Sequence, residues 1–520
     1  MTVIPVSRSG NPFPRAGATV LPGGGAQYDG LPATLVDLLR TRVLDSPGAE
    51  AVAEIGGKRV TYQELWDGAA RVAGGLRDLG VERGDRVAIR YPAGIDWVLA
   101  FLGTIFAGGI AAAVNIRLAP PELAVVLSAT EAAVDLAPGT PLPDGDPYVA
   151  SGLAASDIAA FFYTSGTTSG PKAVPITHRA FLTNAENMVR GLRLTSPGSR
   201  LRTLISVPLF HVTGCNSQLL TAIYLGGASV IMPALDVGAL IAAIRDERIS
   251  FLVTVPAVYA LLLRHPAFAA ADISGVTTVG YGGAPIAPSL VAALQQAFPG
   301  AVVGNGYGMT ETASLITVLP HEDAVGHADS AGYAVPSVDI GVVPLGGPDE
   351  GQPGSGQPGD GQLVGELVVR GPNVMTGYWN RPDETEKAIE DGWLHTGDVV
   401  RVDPAGRVHV IDRLKDMINR GGENVSSVEV EAALLSAPGV ADAGVIAVPD
   451  PVMGEKVGAV LVPAGDLDID TVLAHCAALL ADYKIPQYIA VSAAPLPRNA
   501  GGKLLKARLR TEITWGPPLR

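Results

Sequence analysis

Residues 163–172 run Tyr-Thr-Ser-Gly-Thr-Thr-Ser-Gly-Pro-Lys. Thr164, Ser165, Thr167, Thr168 and Ser169 supply hydroxyls, Gly166 and Gly170 supply bare backbone, and Lys172 closes the run. Glycines let backbone N–H groups converge, hydroxyls add donors, and lysine adds charge; together these suit a polyphosphate. The run is not a Walker-type loop, which needs four residues between its glycines and then Lys followed by Ser or Thr. Here three residues separate the glycines, Pro171 precedes Lys172, and Ala173 follows it. A polar linker is the plainer reading, but such hydroxyl density beside Phe161-Phe162 speaks against it.

A second segment is Gly304-Asn305-Gly306-Tyr307-Gly308-Met309-Thr310-Glu311-Thr312. Tyr307 offers a flat face for a purine and Asn305 an amide for its edge. Thr310 can donate to phosphate, and Glu311 is a hard oxygen ligand suited to Mg2+. As a dinucleotide fingerprint the segment fails, because Met309 stands where a third glycine belongs. Three further stretches draw attention. Gly392-Trp-Leu-His-Thr-Gly-Asp398 ends on a carboxylate that could accept from two ribose hydroxyls. Residues 412–431 open Asp412-Arg413-Leu414-Lys415, pass Gly421-Gly422-Glu423, and reach Ser427, a plausible helix cap. Pro497-Arg-Asn-Ala-Gly-Gly-Lys503 sets a lysine on a glycine-rich loop, where it could enter an anionic site and leave again. Taken singly, these are a turn, a capped helix and a solvated lysine.

Taken in order and spacing, they resemble the motifs of the adenylate-forming superfamily: acyl-CoA synthetases, peptide-synthetase adenylation domains and firefly-type luciferases. The resemblance covers about residues 35–510, and the acyl-CoA synthetase, or AMP-dependent acid–CoA ligase, branch fits best. It implies that residues 164–169 with Lys172 hold phosphates. Asn305, Gly306, Tyr307, Gly308 and Thr310 then surround the nucleotide, and Glu311 takes Mg2+. Asp398 becomes the ribose ligand and Arg413 a nucleotide contact. Lys415 becomes the interdomain pivot, and Gly421, Gly422 and Glu423 line the path of a thiol. Lys503 becomes the catalytic lysine. Tyr281-Gly282-Gly283-Ala284-Pro285 resembles the adenine-side loop, and Pro208-Leu-Phe-His-Val-Thr-Gly214 the helix start beside an acyl pocket. His211 matches an aromatic gate of the catalytic site; as a general base it has no Ser or Cys nucleophile at a triad spacing, and a carboxylate substrate needs no deprotonation. Val212, Tyr259, Tyr281, Gly282, Met309 and Leu315 suggest an apolar pocket. The phosphate loop departs from the usual pattern at Ser169-Gly170, and the low-complexity run 344–361 is long.

What positions these residues is an alternation of strands and helices. Strands are predicted at 86–90, 203–208, 228–232, 251–255 and 276–281, with helices near 217–225, 236–247, 257–264 and 287–297. Such alternation implies parallel strands with helices on both faces, binding ligands at the strand ends. Thr61 and Glu64 form a capping box ahead of a helix through Leu65, Ala69, Val72, Leu76 and Leu79. After residue 330 short strands dominate, at 338–343, 364–370, 398–402 and 407–412. The expected architecture is α/β. Residues 1–30 form a flexible segment, and residues 31–413 a large N-terminal domain of doubly wound parallel-type sheets whose β-rich part is 330–413. Residues 415–520 form a small mobile α+β C-terminal domain, hinged at 412–416. The length of 520 residues itself calls for more than one core.

A net charge of −14 argues against nucleic-acid binding. Two distant cysteines, Cys215 and Cys476, exclude a disulfide framework or thiolate cluster and suggest a reducing, cytoplasmic setting. The start MTVIPVSRSG lacks a signal-peptide core. The uncharged stretch Trp97–Ile116 could span a bilayer by length, but Gly108-Gly109 divides it into a helix and a strand. The expected reaction is ATP-dependent activation of a hydrophobic acid as acyl-AMP, then transfer to coenzyme A. Val212 stands where amino-acid-activating domains place an aspartate, so the acid should carry no α-amino group: fatty, aromatic or polycyclic. A separate carrier protein's phosphopantetheine is the alternative acceptor. A luciferase-type oxidoreductase or an inactive nucleotide-binding protein would share the motifs, and the oligomeric state stays open.

Overall fold

The computed structural model describes residues 2–164, 171–194, 201–345, 362–421, 423–498 and 504–519. Their contacts define two compact units. One comprises Ser7–Ile340 and Val369–Leu394, the other Met1–Val6, Gly341–Val368 and His395–Arg520. The expected β-rich part, 330–413, is thus divided between units, and its later strands group with residues 415–520.

The larger unit is built on a nine-stranded sheet. Its spatial order is Tyr333–Ala334, Ser314–Leu319, Val302–Met309, Thr278–Gly282, Phe251–Thr254, Arg202–Ile205, Ala228–Ile231, Glu50–Glu54 and Arg59–Thr61. The run from Val302–Met309 to Glu50–Glu54 is parallel, and the strands beyond it on either side pair antiparallel. Helices Val237–Asp246, Pro256–Arg264 and Pro288–Ala297 connect successive strands. Phe251, Leu252, Val279 and Val303 are buried, as a sheet covered on both faces requires. The predicted strands and these three helices appear with ends displaced by only a few residues. The helix expected near 217–225 differs: it begins at Thr213 as a π-helix to Leu220 and continues as Thr221–Tyr224. Gly214 to Leu220 are all buried, so no polar face marks where it starts.

A five-stranded sheet lies in the same unit, in the order Lys172–Thr177, Ile158–Thr164, Ile110–Ala113, Arg86–Ile89 and Val134–Leu136. Helix Tyr62–Asp78 carries the expected Thr61/Glu64 capping box. It packs closely on Ile95–Phe106, because a Cβ at Gly103 would come 2.5 Å from Val72 Cγ1. The uncharged stretch divides as expected, and among the described residues no helix is long and apolar enough to cross a membrane. The expectation for residues 1–30 is overturned. Ala18–Val20 and Ala26–Tyr28 form a hairpin, and Phe13, Ala26 and Tyr28 are buried. Arg8 Nη1 donates to the carbonyls of Val335 and Val338. Proline and glycine richness signalled loops there, not missing order: Ile4–Pro5 pairs antiparallel with Gly341 and Val342, and side chains such as Arg8 hold the loops between the short strands.

Trp393–Val402, which lies in the smaller unit from His395 onward, pairs antiparallel with Val408–Arg413. A separate sheet orders Glu423–Val425, Ile418–Arg420, Gly454–Pro463 and Val440–Asp450, with Tyr488–Val491 parallel to Gly454–Pro463. Helices Ser427–Leu435 and Ile469–Leu479 cover it through Val430, Leu434 and Val472. A 3-10 turn, Leu414–Asp416, and Met417 after it are all that separate strand Val408–Arg413 from strand Ile418–Arg420.

His178, at the start of helix His178–Leu192, is buried, and its Nδ1 accepts from the Leu35 amide at 3.2 Å. Burial pushes its pKa down to about 4, against weaker upward pulls from Asp157 and Asp37. The unfolded chain binds the proton first, so stability is full well above pH 6.5 and falls as the pH drops towards 4. From pH 7 to pH 5 this should remove about 2 kcal/mol. Urea unfolding at the two pH values should show it, and His178→Gln should shrink the difference.

Candidate active site

Ser314–Leu319 reverses the direction of Val302–Met309, and the turn between them, Thr310–Thr312, carries Thr310 and Glu311. Gly308 makes the turn possible, since a Cβ there would meet Ser314 O at 1.5 Å. Ala313 takes a φ of +53°. Glu311 is buried; its backbone oxygen accepts from Met375 N at 2.8 Å and its Oε1 from the Tyr378 hydroxyl at 2.8 Å. The ring of Tyr378 lies under the Lys172 ammonium, 4.4 Å from Nζ to centroid. Lys172, Tyr378 and Glu311 therefore form one line. A buried hard carboxylate whose Oε1 takes a neutral donor fits a divalent cation such as Mg2+.

Lys172 stands directly opposite Thr164 across the hairpin of Ile158–Thr164 and Lys172–Thr177. Ser165, Gly166, Thr167, Thr168 and Ser169 lie outside the described residues, as do Gly422 and Lys503. The parallel pairing sets Tyr281 beside Asn305 and Gly282 beside Gly306, which brings the two expected adenine-side segments together. Asn305 Nδ2 donates to Ser330 O at 3.3 Å, and Tyr307 is half-buried. Gly283, Ala284 and Pro285 follow as an exposed loop.

Of the expected pocket residues, Val212, Tyr259, Tyr281 and Leu315 are buried and Met309 is half-buried. Tyr259 directs its hydroxyl to Gly280 O at 2.8 Å, and it shares one hydrophobic core with Tyr281. The Tyr281 hydroxyl is buried without a hydrogen-bond partner among the described residues. His211 packs against Phe210 at 4.7 Å between ring centroids. Burial, and secondarily Arg117, push its pKa down to about 4, so it is a neutral ring and a weak base at pH 7.

In the smaller unit, the antiparallel register puts Asp398 opposite Arg413, and Arg413 Nε reaches Asp398 Oδ1 at 2.8 Å. Arg413 Nη1 also donates to Thr396 O at 3.0 Å. Two residues nominated from separate motifs thus form one ion pair. Lys415 is exposed in the turn, and its carbonyl accepts from Arg510 Nη2 at 3.1 Å. Gly421 has a φ of +62°, and its amide donates to Met453 O at 2.8 Å. Glu423 is exposed at the hairpin end, opposite Arg420. Ser427 is not the helix cap: the Ser426 side chain accepts from Glu429 N, and Ser427 is the first helical residue. Sequence reasoning also missed Tyr378, Asn373 and Arg510. Tyr378 had the only available signal, an aromatic in Gly-Tyr-Trp-Asn between strands.

A larger α/β unit with the Lys172 hairpin and the buried Glu311 turn, and a second unit in which strands Trp393–Val402 and Val408–Arg413 pair Asp398 with Arg413, are the arrangement expected of an adenylate-forming enzyme. Comparison with known proteins agrees. The model of the AMP-binding enzyme family matches residues 39–146 and 135–379, and that of the AMP-binding enzyme C-terminal domain matches 429–503. A feruloyl-CoA synthase of an Amycolatopsis species is 39% identical over 493 residues, 89% of this chain and 96% of that protein. A long-chain-fatty-acid–CoA ligase of Mycobacterium tuberculosis is 32% identical, covering 92% and 99%. The o-succinylbenzoate CoA synthetase of Bacillus subtilis, solved with its acyl-adenylate intermediate, superposes with a TM-score of 0.82 at 29% identity, covering 92% of this chain and 98% of that one. The chain belongs to the AMP-binding enzyme family and, within it, to the AMP-forming acyl-CoA synthetases.

Losing one hydrogen bond to a charged group costs about 1.5–3 kcal/mol. Tyr378→Phe should therefore slow acid-dependent ATP–pyrophosphate exchange by at least about tenfold and raise the Mg2+ concentration needed for half-maximal rate. Circular dichroism should show the fold unchanged.

Proposed function

We propose that this enzyme activates a hydrophobic carboxylic acid without an α-amino group and transfers the acyl group to coenzyme A. The observation that carries this reading is the Lys172–Tyr378–Glu311 line, a cation and a buried carboxylate beside the hairpin expected to hold phosphates. Buried Val212 supports an acid lacking an ammonium, which would be left unpaired beside it. The relatives' printed names, feruloyl-CoA synthase and long-chain-fatty-acid–CoA ligase, support aromatic and fatty acids as the first to test. A relative from Rhodococcus jostii, 31% identical and named for a fused bicyclic propanoate, supports adding polycyclic acids.

In the first step a substrate carboxylate oxygen bonds to the α-phosphorus of ATP as the bond to the β-phosphate oxygen breaks, releasing pyrophosphate. In the second, the coenzyme A thiolate bonds to the acyl carbon and AMP leaves with the carboxyl oxygen bound to phosphorus. Both steps are governed by positioning and charge stabilisation. Thr164–Ser169 and Lys172 cradle phosphates, Tyr307 and the 283–285 loop take adenine, and Asp398 with Arg413 takes the ribose side. Thr310 and Lys503 donate to the phosphoryl oxygens. Mg2+, which Glu311 would hold, neutralises phosphate charge when bound. Residues 415–520 act as a mobile domain pivoting at Lys415, which withdraws Lys503 and offers Gly421-Gly422 to the thiol.

Incubation of an acid panel with ATP, Mg2+ and coenzyme A should yield acyl-CoA by mass spectrometry. Acyl-adenylate without thioester would instead favour a carrier-protein acceptor. Lys503→Ala should slow acid-dependent pyrophosphate release by about a hundred- to thousandfold. It should largely keep thioester formation from preformed acyl-adenylate; equal loss of both steps contradicts the assignment.

A further inference from the structure

The turn Leu414–Asp416 is crossed by two kinds of contact. Arg510, in helix Lys506–Glu512, donates to the Lys415 carbonyl at 3.1 Å and to Asp416 Oδ1 at 2.9 Å. A rotation about the backbone torsions of Lys415 carries its carbonyl along with the chain that follows. Arg510 therefore stays with the residues after the pivot and hands the freedom to the torsions just before that carbonyl. Asp412 does the opposite. It lies on the strand before the turn, and its Oδ2 accepts from Ser427 N and Ser427 Oγ, both at 2.6 Å, and from Ser426 Oγ at 3.3 Å. The Val428 amide approaches the same oxygen at 3.4 Å. These partners open the helix Ser427–Leu435, after the turn.

Asp412 is buried, so its oxygens need those donors, and it caps the N-terminal end of the helix. Ser427 Oγ also accepts from Lys506 Nζ at 2.5 Å, and Lys506 pairs with Glu431 at 2.8 Å. Lys506 follows Lys503 by three positions. Hydrogen bonds this short cannot survive a large rotation between the residues they join.

We propose that Asp412 is a positioning residue that latches the Leu414–Asp416 turn: it must release Ser427 and Val428 for the C-terminal sheet to reorient, and so sets the balance between the adenylation and thioester-forming half-reactions. The inference rests on the two-step reading above.

The test measures, for wild type, Asp412→Ala and Asp412→Asn, acid-dependent ATP–pyrophosphate exchange and thioester formation from preformed acyl-adenylate with coenzyme A. Asp412→Ala should shift the ratio of the two rates at least tenfold, and Asp412→Asn less, because its carbonyl oxygen still accepts from one amide. A ratio unchanged within twofold overturns the latch. A second measurement needs only wild type: hydrogen exchange at the Ser427 and Val428 amides, with ATP and a non-reactive acid analogue, and with AMP and coenzyme A. Protection should differ between the two states, and equal protection overturns the proposal even if the variants do not fold. A wild-type enzyme that made neither acyl-adenylate nor acyl-CoA would refute the two-step reading itself.

Discussion

The turn bearing Thr310 and Glu311 hangs on buried side-chain amides. Asn373 Nδ2 donates to Thr312 O at 2.9 Å and to Leu315 O at 3.0 Å, pinning both sides of the left-handed residue Ala313. Asn373 is held by Ser337, Ser337 by Asn187, and Asn187 by the Tyr28 hydroxyl at 2.6 Å. Asn184 Oδ1 accepts from Leu315 N, and Asn216 Nδ2 donates to Ala313 O. A polar group buried in this way carries a penalty when unmatched, so each partner restricts the next, and the network admits few alternative geometries. That is how a carboxylate can be buried yet aimed. It also explains why the N-terminal segment is ordered: Tyr28 is the far end of the same chain.

The smaller unit reaches its geometry by a different route. Strand register alone sets Asp398 against Arg413, and the ion pair follows. Asp398 is then oriented by a neighbour that also bonds Thr396 O, so neither side chain needs a buried amide network. The difference suits the chemistry proposed for each part. Phosphoryl transfer needs donors fixed to fractions of an ångström, whereas a unit that must change partners benefits from contacts that can be broken and remade.

Much of this was legible before any coordinates. The alternating apolar runs 228–232 and 251–255 fixed the parallel sheet, and the Thr61/Glu64 spacing fixed a helix start to the residue. Asn305, Glu311, Asp398 and Arg413 were named because the motifs that hold them resemble those of a known family; three of them lie on strands and Glu311 in a short turn. Asn373, Asn216 and Arg510 could not be found that way. Each is a single polar residue in an ordinary context, and its partner lies far off in sequence: 61 positions separate Asn373 from Thr312, and 95 separate Arg510 from Lys415. The π-helix at Thr213–Leu220 was unreadable for a related reason, since a segment buried on every side has no amphipathic period.

The acidity of the chain sharpens the last point. A molecule with net charge −14 that binds a triphosphate must keep some cations out of the hands of its own carboxylates. Lys456, Lys484 and Lys506 are all taken, by Asp450, Glu429 and Glu431. Lys172 instead rests on the ring of Tyr378. A π face attracts an ammonium without neutralising it and leaves its N–H groups to donate elsewhere. The same tyrosine gives its hydroxyl to Glu311, so one side chain touches both the cation and the carboxylate. One aromatic residue thus bridges the two groups that the proposed function assigns to a phosphate and its counterion.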